Sequence, residues 1–140
     1  MKLSRTVAYA VRATLQLAKS DSATPVPCSQ LAAEGNMPER FLLQILRSLV
    51  THGILRSTRG VDGGYTLVRS PDEVSLLEVI EAIEGPLNPG EPVTQGMSEE
   101  SQWRLHEALR SVTNDSRRQL EAIKLSQLLK PPSSTEQEPA

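Results

Sequence analysis

The stretch Ile54-Leu55-Arg56-Ser57-Thr58-Arg59-Gly60-Val61-Asp62-Gly63-Gly64-Tyr65-Thr66-Leu67-Val68 decides how the rest of the chain reads. β-Forming residues flank an Asp-Gly-Gly turn. Asp-Gly tolerates the positive φ angles of tight connections, so the pattern predicts a β-hairpin. Helical patterns stand directly before it. Phe41, Leu42, Ile45, Leu46, Leu49 and Val50 give one helix a wide apolar face, with Pro38 to open it and Gly53 to stop it. Asn36 and Glu39 have the three-residue offset of a capping box. A shorter helix is predicted from about Cys28 to Glu34, ended by Gly35-Asn36. Before the Ser20–Pro27 loop, Leu3, Val7, Ala10, Val11, Thr14, Leu15 and Ala18 mark an amphipathic helix over about 3–19.

Beyond the hairpin, Ser75-Leu76-Leu77-Glu78 is a capping box, and Gly85-Pro86 closes the helix it opens. Residues 86–98 hold three prolines and two glycines and read as an irregular loop. A long helix is predicted over Glu99–Leu129, with Trp103, Leu105, Leu109, Val112, Leu120, Ile123, Leu125, Leu128 and Leu129 apolar. The tail 131–140 has the composition of a disordered segment. The resulting fold class is mostly α. Residues 1–85 form a winged helix-turn-helix domain with a two-stranded wing, 86–98 a loop, and 99–130 a dimerisation helix. In such units the third helix enters the major groove of DNA, and the short turn before it carries a glycine, here Gly35.

Composition narrows the function classes. The 140 residues suit one domain with an added element. No apolar stretch is long enough to span a membrane, and the N-terminal residues lack the apolar region of a signal peptide, so a cytoplasmic protein is expected. With a single cysteine, Cys28, no intrachain disulfide and no multi-thiolate metal site can form. The net charge of −2 conceals an asymmetry: residues 1–70 carry +5 and residues 71–140 carry −7. A basic first half suits a polyanion, and an acidic second half should face away from it. Paired catalytic carboxylates, a phosphate-binding loop and a Ser/His/Asp set are all missing from the pattern, so an enzyme is not expected.

Three segments carry a resemblance. Met1-Lys2-Leu3-Ser4 with Tyr9-Ala10-Val11-Arg12-Ala13, then Pro38-Glu39-Arg40-Phe41-Leu42-Leu43-Gln44-Ile45-Leu46, then Leu55 to Leu67 with its Arg-Gly-x-x-Gly-Gly-Tyr wing, resemble the bacterial winged-helix regulators typified by IscR, NsrR and CymR. The resemblance covers about residues 1–85. It implies a dimeric transcription regulator, a repressor or an activator, whose long helix pairs with that of a second copy. Many members hold an iron–sulfur cluster with three cysteines in the loop before the long helix. The matching stretch, Pro86 to His106, contains none, so the resemblance implies a cluster-free member like the CymR branch, with no cofactor. His106 sits about where some members place a fourth ligand, and Ala8 where some supply an acidic one; a solvated histidine is the reading preferred here. The resemblance also implies that positions 38, 40, 43 and 44 approach bases, with Pro38 and Leu43 where members often carry Ser and Glu.

Arg40, Gln44 and Arg47 share one helix face, and Arg and Gln match the edges of guanine and adenine respectively. Arg59 is expected in a minor groove, Arg56 and Ser57 at phosphates, and Ser29 as a hydroxyl donor near the start of the second helix. Pro38, Glu39, Gly60 and Gly63 complete the candidate DNA surface, while Asp62 is read as a turn former. Trp103, Leu105, Leu109, Val112, Leu120 and Ile123 are the candidate dimerisation residues. Cys28, in the first turn of its helix, has two readings: a small apolar residue under the motif, or a redox sensor whose thiolate the helix terminus stabilises. The expected partners are double-stranded DNA and a second copy of the chain, with any effector unidentified. The competing function is a winged-helix protein-interaction module that has lost DNA binding, favoured by Leu43 and Asp62 and opposed by the retained arginines.

Overall fold

Ser4 starts the first helix. Its hydroxyl accepts from the Val7 N–H at 3.1 Å, satisfying one of the free donors of the first turn. The computed structural model describes residues 1–20 and 24–129. Over that range the order is α1 (Arg5–Lys19), α2 (Cys28–Gly35), α3 (Glu39–Thr51), β1 (Leu55–Thr58), β2 (Gly64–Leu67), α4 (Leu76–Glu84), α5 (Glu99–Ala122) and α6 (Leu125–Leu129). The tail 131–140 and Lys130 lie outside the described residues.

α1 is the central strut. Val7, Ala10, Ala13, Thr14 and Leu17 are all buried, and the Thr14 hydroxyl is satisfied by donating to the Val11 carbonyl at 2.8 Å. The main core joins α1 to Leu31, Leu42, Leu46, Leu49, Ile54 and Val79. A smaller cluster of Val7, Leu77, Ile80 and Leu120 lies between α1, α4 and α5.

The turn between α2 and α3 differs from the capping box expected of Asn36 and Glu39. Asn36 adopts the left-handed conformation, φ 53° and ψ 54°, and caps the C-terminus of α2; the Met37 N–H then donates to the Ala32 carbonyl at 2.9 Å. Pro38 is the residue that flanks α3, without a side-chain cap, which makes Glu39 the first helical residue instead of the third. The capping box of α4 forms as read: the Ser75 hydroxyl accepts from the Glu78 N–H at 3.1 Å and the Glu78 carboxylate accepts from the Ser75 N–H at 2.9 Å.

The hairpin pairs Leu55 with Leu67, Arg56 with Thr66, Ser57 with Tyr65 and Thr58 with Gly64. Its connection runs from Arg59 to Gly63, and the Gly63 N–H donates to the Gly60 carbonyl at 3.0 Å. Val61-Asp62, not Asp62-Gly63, therefore occupies the centre of the turn. Positive φ falls on Gly60 (110°) and Gly64 (151°). Gly63 is needed for space, since a Cβ there would overlap the Thr58 carbonyl oxygen.

The long C-terminal helix predicted over Glu99–Leu129 is two helices. α5 stops at Ala122 because the next residues pair with the segment before α4: the Leu76 N–H donates to the Ile123 carbonyl at 2.8 Å and the Leu125 N–H to the Val74 carbonyl at 2.9 Å. α6 then packs on α1, with Leu125 fully buried. No helix among the described residues is long and apolar enough to cross a membrane.

Candidate nucleic-acid interface

The period of α3 sorts its residues into two faces. Leu42, Ile45, Leu46 and Leu49 are buried, and Arg40, Gln44 and Arg47 are exposed on the opposite side. Phe41, read from the sequence as part of the apolar face, lies at the margin and is 39% exposed. Its ring meets Tyr9 edge-on, with centroids 5.8 Å apart. The Arg12 guanidinium covers the Tyr9 ring at 5.4 Å and donates to the Gly35 carbonyl at 2.7 Å. The Gln16 amide donates to the Leu31 carbonyl at 3.2 Å. Two polar side chains of α1 thus hold the C-terminal end of α2, which fixes the turn leading into α3. Sequence reading passed over both, although polar groups one helical turn apart were the available signal.

The wing is fixed to the same unit. Val26 and Tyr65 exchange two backbone hydrogen bonds, Val26 N–H to Tyr65 carbonyl at 3.0 Å and the reverse at 2.9 Å. A Cβ at Gly64 would overlap the Val26 backbone, so the glycine before Tyr65 permits this approach. This strut, formed just before α2, was also missed; the second glycine of the Gly-Gly pair was its only trace in the sequence.

Arg56 and Ser57 on β1, and Arg59 and Gly60 in the connection, are exposed; Gly63 is half-buried. Ser29 near the start of α2, Pro38 and Glu39 are exposed as well. Burial raises the Tyr65 phenol pKa, an ionised Cys28 would raise it further, and Arg47 opposes them. Tyr65 on β2 thus lies within electrostatic reach of Cys28 at the start of α2 and of Arg47 on α3. Arg69, Arg104, Arg117 and Arg118 pair with Glu78, Glu100, Glu81 and Asp115. Among the described residues, Arg40, Arg47, Arg56 and Arg59 have no carboxylate partner. All four are exposed.

Of the two readings of Cys28, its surroundings lean toward the small apolar one. Burial pushes its thiol pKa up, and the neighbouring Glu39 charge pushes it further. The sulfur lies 3.7 Å from the Glu39 carbonyl oxygen, as a weak donor.

Two of the candidate dimerisation residues are used within the chain. Leu120 is 7% exposed, packed with Val7, Leu77 and Ile80, and Ile123 is a half-buried residue past the end of α5. Leu105, Leu109 and Val112 remain on the outer part of α5, with Val112 62% exposed. Trp103, 64% exposed, lies two residues before Leu105 and nine before Val112. At ~100° per residue that sets it on the other side of the helix from both.

Three short helices, a hairpin braced against the second of them, and a third helix with an outward cationic face define a winged-helix transcription regulator. The chain belongs to the Rrf2 family, described as iron-dependent transcriptional regulators, whose model matches residues 3–131. A Mycobacterium tuberculosis protein named as an HTH-type transcriptional regulator is 45% identical over 87 residues, 62% of this chain and 54% of that protein. The chain thus spans about half the length of that relative. Among solved structures, CymR, the global cysteine regulator of Bacillus subtilis, superposes with a TM-score of 0.74 at 26% identity, covering 92% of this chain and 96% of that one. IscR of T. potens gives a TM-score of 0.70 at 27% identity, covering 100% and 94%. These relatives are transcription regulators, not enzymes.

The family description raises the question of iron. The donor set does not fit a cluster. The chain has one cysteine, and it lies on α2 beside Glu39. His106 is exposed on α5, and the His52 ring is engaged with the Ser48 carbonyl at 2.8 Å. Among the described residues no three His, Cys, Asp or Glu side chains converge.

Proposed function

We propose that the chain is a cluster-free, sequence-specific DNA-binding repressor that acts as a homodimer on a pseudo-palindromic operator. The observation that carries this reading is that α3 and the wing together present four exposed arginines with no carboxylate partner among the described residues, Arg40 and Arg47 on α3 and Arg56 and Arg59 on the wing strand and its connection. Unneutralised guanidinium groups on a braced surface suit phosphates and guanine edges. Arg40, Gln44 and Arg47 enter the major groove, with Pro38 and Glu39 at its edge. Arg59, Gly60 and Gly63 follow the minor groove, and Arg56, Ser57 and Ser29 take phosphates. A chromosomal partner implies a cytoplasmic location.

The second copy is supported by α5. Its 24 residues extend about 36 Å, yet only Leu120 is buried. Half-buried Leu105 and Leu109 and exposed Val112 form an apolar strip that the chain itself covers only in part, and pairing two strips would set two reading helices about one DNA turn apart. The raised Cys28 thiol favours a packing role for that residue over redox sensing.

Fluorescence anisotropy of the full chain against a pool of labelled genomic duplexes, at several salt concentrations, tests the proposal. Affinity should fall steeply as salt rises, in a linear log–log relation. Absence of binding at low salt would leave the protein-interaction module as the better account.

A further inference from the structure

We propose that Leu43 reads a thymine through its C5-methyl group, an inference that rests on the DNA-binding reading above. The outward side of α3 carries Arg40, Leu43, Gln44 and Arg47, at successive spacings of three, one and three residues. Three of these are polar. Leu43 is not, yet it is half-exposed and packs with neither hydrophobic cluster. In the free protein its exposed apolar surface gains nothing from the cationic face around it. Against the major groove it gains a partner, because the thymine methyl is the apolar group presented there by the unmodified bases. Phe41, the other apolar side chain at this end of α3, is engaged differently. Its ring packs edge-on against Tyr9 and lines a hollow with Thr6, Ile45, Ser48 and Ile83, on the flank turned toward α1 and α4; exposed Gln44 stands at the rim of that hollow, between Phe41 and Arg40, and Leu43 does not border it. The adjoining Gln44 matches adenine, so Leu43 and Gln44 together favour a step rich in A·T pairs.

The experiment starts from the duplex that the full chain selects from a random pool. Each thymine is then replaced by deoxyuridine, which removes the methyl group and leaves base pairing intact. At one thymine or more, uracil should weaken wild-type binding about fourfold, the effect of burying one methyl group. In Leu43→Ala that penalty should vanish, and in Leu43→Met, which keeps an apolar reach, it should persist. Leu43→Ala should melt as wild type, since the side chain lies outside both clusters; a large loss of stability would assign Leu43 to the core and overturn the inference. Uniform tolerance of uracil, or a penalty unchanged in Leu43→Ala, would overturn it while leaving DNA binding intact. Failure to select any duplex would instead remove the reading on which it rests.

Discussion

Arg40 and Arg59 carry equal charge but occupy different mechanical settings. Arg40 is held on the second residue of a helix packed into the core, where a side chain can be aimed at a base edge. Arg59 follows the end of β1 and precedes Gly60, where the backbone itself can approach a duplex. Arg40→Ala should therefore cost about 1–3 kcal/mol on the selected sequence and little on random DNA. Arg59→Ala should weaken binding to most sequences and reduce the magnitude of the log–log salt slope by about 1. Anisotropy titrations on both kinds of duplex separate the two outcomes; equal losses for Arg40→Ala on both would end its assignment to base reading. Cys28 yields a second prediction. Its raised thiol pKa leaves less thiolate at neutral pH than an ordinary cysteine has, so alkylation by iodoacetamide should be slower than for a free thiol at pH 7. The rate should climb as pH rises beyond the usual thiol range. A faster reaction than free cysteine at pH 7 would restore the sensing role.

Secondary elements that announce themselves through local chemistry were legible in the sequence. The Ser75–Glu78 box, the stop at Gly85 and the apolar period of α3 all depend on residues close together in the chain. What stayed hidden depends on distant partners. Nothing near Ile123 signals that α5 ends; the cause is the pairing of 123–125 with 74–76, about fifty residues earlier. Likewise the Val26–Tyr65 strut and the hold of Arg12 and Gln16 on α2 join segments that periodicity treats one at a time. Of the candidate DNA residues, α3 was legible because its amphipathic period separates the two faces, whereas Phe41 was misassigned because position on a wheel does not reveal which neighbour is missing. The α4 cap also links pH to stability. Burial raises the Glu78 pKa, but its hydrogen bonds to Arg69 and Ser75 and the Arg69 charge prevail and hold it below the usual carboxylate value. A depressed folded-state pKa means stability that is present above the unfolded value and lost as pH falls through the folded one. Thermal melts of Glu78→Gln should thus show lower stability near neutrality and a shallower decline on acidification than wild type. Parallel declines in the two proteins would assign acid sensitivity to other groups.

At the scale of the whole molecule, the uneven charge acquires a geometry. Among the described residues the four arginines of α3 and the wing have no carboxylate partner, and neither do Arg5 and Arg12 on α1 or Arg110 on α5, while the ion pairs gather on α4, α5 and the segment before α4. An acidic body carrying a cationic face orients itself toward a polyanion before contact. The same division bears on assembly. Removing everything from Glu99 onward would also strip Leu120 and Leu125 from the core, so it cannot separate dimerisation from folding. Replacing half-buried Leu105 and exposed Val112 with Glu attacks the strip while leaving both hydrophobic clusters intact. The doubly substituted chain should sediment as a monomer, with the wild-type chain a dimer, and its circular-dichroism spectrum should remain helical. A dimer that survives both substitutions would remove α5 from the interface. The packing of Leu125 against α1 has a further consequence, for synthesis on the ribosome. α1 waits for a helix made more than a hundred residues later: until residue 125 clears the exit tunnel, the wall of α1 that α6 will cover stays wet. α3 and the wing leave the ribosome before α6 does, so the scaffold that holds them taut closes only after both are made.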